Sequence, residues 1–149
     1  MNILISGAGI AGPTLAYWLA QFGFVPTIVE RSPRLRTGGY VIDFWGLGFD
    51  VAERMGLASA IRRDGYVVQR LDIVDRHGRR VASVPTAGLT ASFSTRFTSV
   101  PRGALAADIF HAVEDNVELI FGDTVTHLQE ERDGVTAIFG RHGRRRLIW

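Results

Sequence analysis

Gly7, Gly9 and Gly12 stand in Gly-x-Gly-x-x-Gly spacing immediately after the apolar segment Asn2-Ile3-Leu4-Ile5-Ser6. A short apolar run that stops at glycine reads as a buried parallel strand. Ala11 to Phe22 then read as a helix, with Pro13 in its first turn, where the missing N–H costs nothing. Leu15, Leu19 and Phe22 fall at i, i+4 and i+7, which predicts the inward stripe, and Gly23 is placed for the C-terminal cap. Val25-Pro26-Thr27-Ile28-Val29 is a second apolar run, ended by Glu30. Residues 2–30 therefore predict a βαβ unit with a right-handed crossover, and an α/β class for the chain.

A diphosphate needs closely approaching hydrogen-bond donors and positive potential, and a helix N-terminus supplies both. In this spacing Gly7 permits the tight turn, Gly9 removes a Cβ from the diphosphate's path, and Gly12 lets helix and strand pack closely. Glu30 lies 18 residues beyond Gly12 and can accept hydrogen bonds from ribose hydroxyls, while its charge opposes a 2′-phosphate. A glycine run alone is weak evidence in a chain with 17 glycines. Here it follows a strand, opens a helix and is answered by an acid at the next strand's end, which is the context the motif requires. The reading is the ADP half of a dinucleotide, against a coincidental glycine turn.

With 149 residues, 46% of them apolar, the chain predicts one domain or a large part of one. No run of about 18 apolar residues predicts a membrane span, and no basic leader follows Met1, so the expected location is cytoplasmic. There is no cysteine, hence neither disulfide nor thiolate metal site. His77, His111, His127 and His142 have no metal-ligand spacing, and neither a metal site nor a catalytic triad is expected. All 17 basic residues are arginine. Arg141 and Arg144-Arg145-Arg146 lack the interleaved aromatics of a nucleic-acid surface and read as a solvated hairpin edge, so no nucleic acid is expected as a partner.

Beyond Glu30, residues 31–39 form a loop closed by Gly38-Gly39. Tyr40 to Phe44 is strand-like, Leu47 to Met55 helical up to Gly56, and Ala58 to Arg63 a second short helix. Leu71 and Ile73 alternate with Arg70 and Asp72, and Val81 and Val84 follow His77-Gly78, which predicts an antiparallel hairpin with one wet face. Phe93, Thr95 and Phe97 alternate over another strand. Leu105, Ile109 and Ala112 share one face of a helix starting at Arg102. Val117 to Phe121 is a short strand, residues 124–131 and 134–140 a hairpin around Asp133-Gly134, and residues 144–149 a further strand. Arg102 sits at the helix end where a cation is disfavoured by the dipole, so it is either a ligand for an anion or a surface arginine. Tyr40, Phe44 and Trp45 are core or a cofactor edge.

These segments resemble one family, the flavoprotein monooxygenases of the p-hydroxybenzoate hydroxylase type, FAD-dependent aromatic hydroxylases. The matching residues are Ile5 to Pro13 (Ile-Ser-Gly-Ala-Gly-Ile-Ala-Gly-Pro), Val29-Glu30-Arg31, Gly38-Gly39, the helix Leu47 to Met55 with Gly56-Leu57, and Arg102-Gly103-Ala104-Leu105. The likeness runs across nearly the whole chain. It implies a Rossmann-like βαβ FAD-binding fold of the glutathione-reductase type with an inserted antiparallel segment. Residues 1–65 would be the FAD-binding βαβ portion, 66–100 the start of a substrate-domain sheet, and 101–149 the FAD-binding continuation with a crossover hairpin.

Carried onto this sequence, the resemblance implies that Gly7, Gly9, Ile10, Ala11 and Gly12 cradle the FAD diphosphate and Glu30 the adenosine ribose. Arg31 would lie beside the adenine, the Gly39 to Asp43 strand would pass the flavin, and Arg102 would contact the diphosphate or ribityl region. In such enzymes NAD(P)H reduces FAD, and O2 then hydroxylates a small organic substrate, aromatic or polyketide-like, through a flavin hydroperoxide. The family's later Asp-Gly and Gly-Asp motifs are absent, so the chain reads as an incomplete, N-terminal portion whose partners include the missing C-terminal portion or a second copy. Alternatives are a halogenase or reductase on the same fold, or a nucleotide-binding fragment without catalysis. A halogenase would carry a catalytic lysine, and this chain has none.

Overall fold

In a computed structural model the described residues are 1–36, 38–90 and 96–148. Phe93 and Thr95, placed above on a strand, and the terminal Trp149 lie outside them. The chain divides into two compact units, Met1–Gly38 with Leu105–Trp149, and Gly39–Ala104.

The first unit is built on a parallel sheet of β1 (Asn2–Ser6), β2 (Val25–Glu30) and β7 (Glu118–Phe121), in the order β1-β2-β7. Asn2 pairs with Val25 and Ser6 with Val29, as a βαβ unit demands, and Thr27 to Glu30 pair with Glu118 to Phe121. Helix α1 (Ala11–Gln21) makes the crossover. A three-stranded antiparallel sheet, β8 (Val125–Glu131), β9 (Gly134–Phe139) and β10 (Arg144–Ile148), completes the unit.

The apolar run of β2 has a direct cause in this arrangement. Ile28 joins Ile5, Ala8, Ala16, Val113 and Val117 in one core cluster, whereas Val29 joins Ile120, Ala137 and Phe139 in another. Successive side chains of a strand point to opposite faces, so a strand covered on both sides is apolar at consecutive positions. The inward face of α1 differs from the expected stripe. Pro13 and Ala16 are its buried residues, Leu19 packs only in part, and Leu15 and Phe22 are exposed. Small residues face the sheet because helix and strand lie close together there.

The second unit pairs β3 (Val41–Trp45) with β6 (Phe97–Pro101), antiparallel, from Val41 opposite Pro101 to Trp45 opposite Phe97. Helices α2 (Gly46–Arg54) and α3 (Ala58–Asp64) bury Phe49, Ala52 and Ile61, with Met55 beside them, while β6 buries Val100. Arg62 lies 5.4 Å over the Phe49 ring. Phe44 packs against Phe49 at 5.9 Å, but Tyr40 and Trp45 are exposed, so that aromatic group is not an ordinary core. The hairpin β4 (Arg70–Val74) and β5 (Arg80–Pro85) forms as its alternation predicts, yet every residue on both strands is exposed, not those of one face alone. A one-turn helix, α4 (Ala87–Thr90), follows it. Helix α5 (Arg102–His111) runs from this unit into the first and buries Leu105, Ala106, Ile109 and Phe110.

Two local expectations shift in register or partner. The β8–β9 turn is Arg132-Asp133, with Glu131 opposite Gly134, so Gly134 already belongs to the strand. Arg141, Arg144 and Arg146 are exposed, as a solvated edge requires, but Arg145 is only half-exposed and finds partners on the parallel sheet. Arg145 bonds Glu118 on β7 (Nη2 to Oε1 2.6 Å) and Thr27 on β2 (3.0 Å), tying β10 to the parallel sheet, and Arg146 pairs with Glu131 and Asp133.

Candidate nucleotide-binding site

The carboxyl ends of parallel strands are where open α/β sheets hold ligands, and in the first unit those ends carry the glycine turn, Glu30 and the Gly122-Asp123 pair. Gly7 leaves β1 at φ +109°, a conformation that favours glycine, and its N–H donates to the Val29 carbonyl at 2.7 Å. A Cβ on Gly12 would collide with the Gly7 carbonyl oxygen, so only glycine lets the helix start this close to the turn.

The amides of this turn divide into two sets. Gly7 is spent on Val29, and Ala8 donates to Glu30 Oε2 at 3.0 Å. Gly9, Ile10, Ala11 and Gly12 donate to no protein acceptor among the described residues, while the first helical bond is Thr14 N–H to Ile10. They are the unfilled donors of a helix N-terminus, available to a diphosphate. No acidic side chain occupies the first turn of α1.

Glu30 closes the turn. Its second oxygen, Oε1, accepts the Ser32 N–H at 2.9 Å, so each oxygen holds one backbone donor and keeps acceptor capacity for a further hydroxyl. Burial pushes this carboxyl up, but the amides of Ala8 and Ser32 and the charges of Arg36 and Arg31 outweigh it and hold it below its usual 4.5. Glu30 is thus an anion at neutral pH. Arg31 follows it in an exposed loop.

The remaining candidates belong to the second unit. Gly39, at φ +146°, leads into β3 in a conformation that favours glycine, and a Cβ there would lie in ordinary contact with Arg102, 3.4 Å from its Cβ. The Arg102 N–H donates to the Tyr40 carbonyl at 3.0 Å, which brings the Gly-Gly segment and the start of α5 together. Asp43 accepts a 2.6 Å bond from the buried Ser99 hydroxyl on β6. The ten candidates therefore fall into two groups, one in each unit.

Sequence reasoning missed Asp123. Its side chain is 1% exposed and accepts from the N–H groups of Thr124 (2.8 Å), Arg141 (3.1 Å) and His142 (2.9 Å) and from His142 Nδ1 (2.6 Å). An ionised carboxylate only accepts, so that Nδ1 carries the hydrogen. Burial alone would raise the carboxyl, but the bond from His142 and the three amides hold it far below its usual value. The only sequence signal was the glycine before it, because its partners lie 18 and 19 residues away.

No protein-family model matches this chain. The Mycobacterium tuberculosis protein Rv1260 is 37% identical over 144 residues, 94% of this chain and 38% of that protein. The FAD-dependent monooxygenase asL4 of Sarocladium schorii is 33% identical over 138 residues, 91% of this chain and 32% of that protein. The likeness is to flavin-dependent monooxygenases. Among solved structures, tetracycline destructase Tet(55) superposes with a TM-score of 0.83 at 29% identity, over 98% of this chain and 36% of its own. Klebsiella pneumoniae HpxO, complexed with FAD and uric acid, gives 0.76 at 25% identity, over 98% and 37%. The chain thus spans about a third of the length of the relatives it matches. It carries the mixed α/β fold of flavin-dependent monooxygenases across almost all of its own length.

Proposed function

We propose that this chain is the FAD-binding portion of an NAD(P)H-dependent flavoprotein monooxygenase of the p-hydroxybenzoate hydroxylase type, acting on a small organic substrate, aromatic or polyketide-like. The observation that carries the reading is the set of four free amides at Gly9 to Gly12 beside an ionised Glu30 that holds the turn by Ala8. That donor set fits a diphosphate followed by a ribose, which is the ADP half of FAD. Bound FAD supplies the redox chemistry, and the protein binds and orients it.

On this reading Gly7 shapes the turn, the amides of Gly9, Ile10, Ala11 and Gly12 hold the diphosphate and Glu30 the ribose hydroxyls, with Arg31 beside the adenine. Arg102 supplies a cation to the diphosphate or ribityl region, and the strand from Gly39 to Asp43 runs past the flavin. The domain scheme follows: residues 1–65 and 101–149 in the FAD-binding domain, 66–100 opening a substrate-side sheet. Calorimetric titration with ADP tests the assignment. Glu30→Ala loses a charged acceptor and is expected to weaken binding about ten- to a hundredfold, and Arg102→Ala is expected to weaken it as well. Two variants that bind like the parent chain would remove the assignment.

A further inference from the structure

We propose that Asp123 is a positioning residue of the nucleotide site, an inference that rests on the ADP reading of the glycine turn. Its place in the fold makes the case. The Asp123 N–H donates to the Glu30 carbonyl at 3.1 Å, and the neighbouring Gly122 N–H to the Ser32 carbonyl at 2.9 Å. These two bonds bracket the residues whose side chain and amide form the Glu30–Ser32 contact. On its other side, the Asp123 carboxylate gathers the N–H groups of Arg141 and His142 and the ring Nδ1 of His142, all from the turn between β9 and β10. A second strut, from the Gly140 N–H to the Thr124 carbonyl at 3.1 Å, runs parallel to it.

One buried carboxylate therefore couples the β9–β10 turn to the end of β7, and the end of β7 to the loop that carries Glu30. A buried anion has few places to go, and its partners fix it from several directions. The consequence is that the direction in which Glu30 offers its free acceptor sites depends on a residue that never touches the nucleotide. Asp123→Asn keeps the shape but turns one accepting oxygen into a donor facing N–H groups. The loop should loosen while the two core clusters stay packed.

The test uses the full 149-residue chain with ADP as the probe, and amide hydrogen exchange at Ser32 and Gly122 as a second readout. Asp123→Asn is expected to weaken ADP about tenfold and to speed exchange at both amides. Ile61→Ala, a core truncation in the second unit, serves as a control for stability: it lowers the melting midpoint but leaves ADP affinity unchanged. If Asp123→Asn behaves like Ile61→Ala, with ADP affinity and Ser32 exchange both native, the residue only stabilises the fold and the proposal is overturned. If Asp123→Asn does not fold, His142→Ala takes its place. It removes one bond from a half-exposed side chain, and about a threefold loss of ADP affinity with faster Ser32 exchange is expected; no change in either overturns the coupling. Failure of the parent chain to bind ADP would sink the nucleotide reading and this proposal with it, whereas ADP binding by the parent chain with no effect of Asp123→Asn would overturn the proposal alone.

Discussion

At the scale of single residues, the site depends on what glycine omits and on what carboxylates gather. Gly12→Ala would drive a methyl group into the Gly7 carbonyl. The expected cost is about 1–3 kcal/mol from overpacking, measured by urea unfolding, together with weaker ADP binding as the helix start is pushed away. Glu30 and Asp123 contribute to the acid limit of the first unit, as does Glu118, which the Arg145 bond holds below its usual value. Glu30 and Asp123 both titrate lower when folded than their usual 4.5 and 3.8. Their contribution to stability is therefore complete above those values and is lost as pH falls below them through the folded values. Unfolding free energies at neutral pH and near pH 3 should show Asp123→Asn losing less between the two conditions than the parent chain. Equal losses would contradict the role given to this carboxylate.

At the scale of elements, burial on one face or two is what distinguishes the strands. β2 is apolar at consecutive positions because clusters form on both its faces, and that run was plain to read. β4 and β5 alternate equally plainly, yet both are exposed throughout. Alternation shows which side of a strand can be buried, and a partner elsewhere decides whether it is. Ile73→Lys is accordingly expected to change the stability of this chain by less than about 0.5 kcal/mol, as at an ordinary surface position. A large drop in the thermal midpoint would mean that the hairpin face is covered. Helix α1 gives the complementary lesson. Its long apolar residues marked a stripe, but the close approach at Gly12 selected Pro13 and Ala16 for the buried side and left Leu15 and Phe22 exposed.

At the scale of the whole molecule, the chain spans about a third of the length of its relatives, and its candidate residues are divided between two units. The isolated chain is therefore expected to neither retain FAD tightly nor oxidise NADPH. Purification followed by visible absorbance and an NADPH consumption assay checks this, and a yellow, active protein would refute it. The sequence by itself determined the βαβ unit, the glycine turn and Glu30, since spacing within some thirty residues encodes them and local backbone chemistry enforces them. It also marked most strands and helices to within a residue or two. It did not determine the Asp123 cluster, the tie from Arg145 to Glu118 and Thr27, or the exposed state of the β4–β5 hairpin. Each of these joins residues distant in the chain, or depends on what covers a surface. Only packing in three dimensions decides such pairings, because burial is a property of neighbours and not of the residue that is buried.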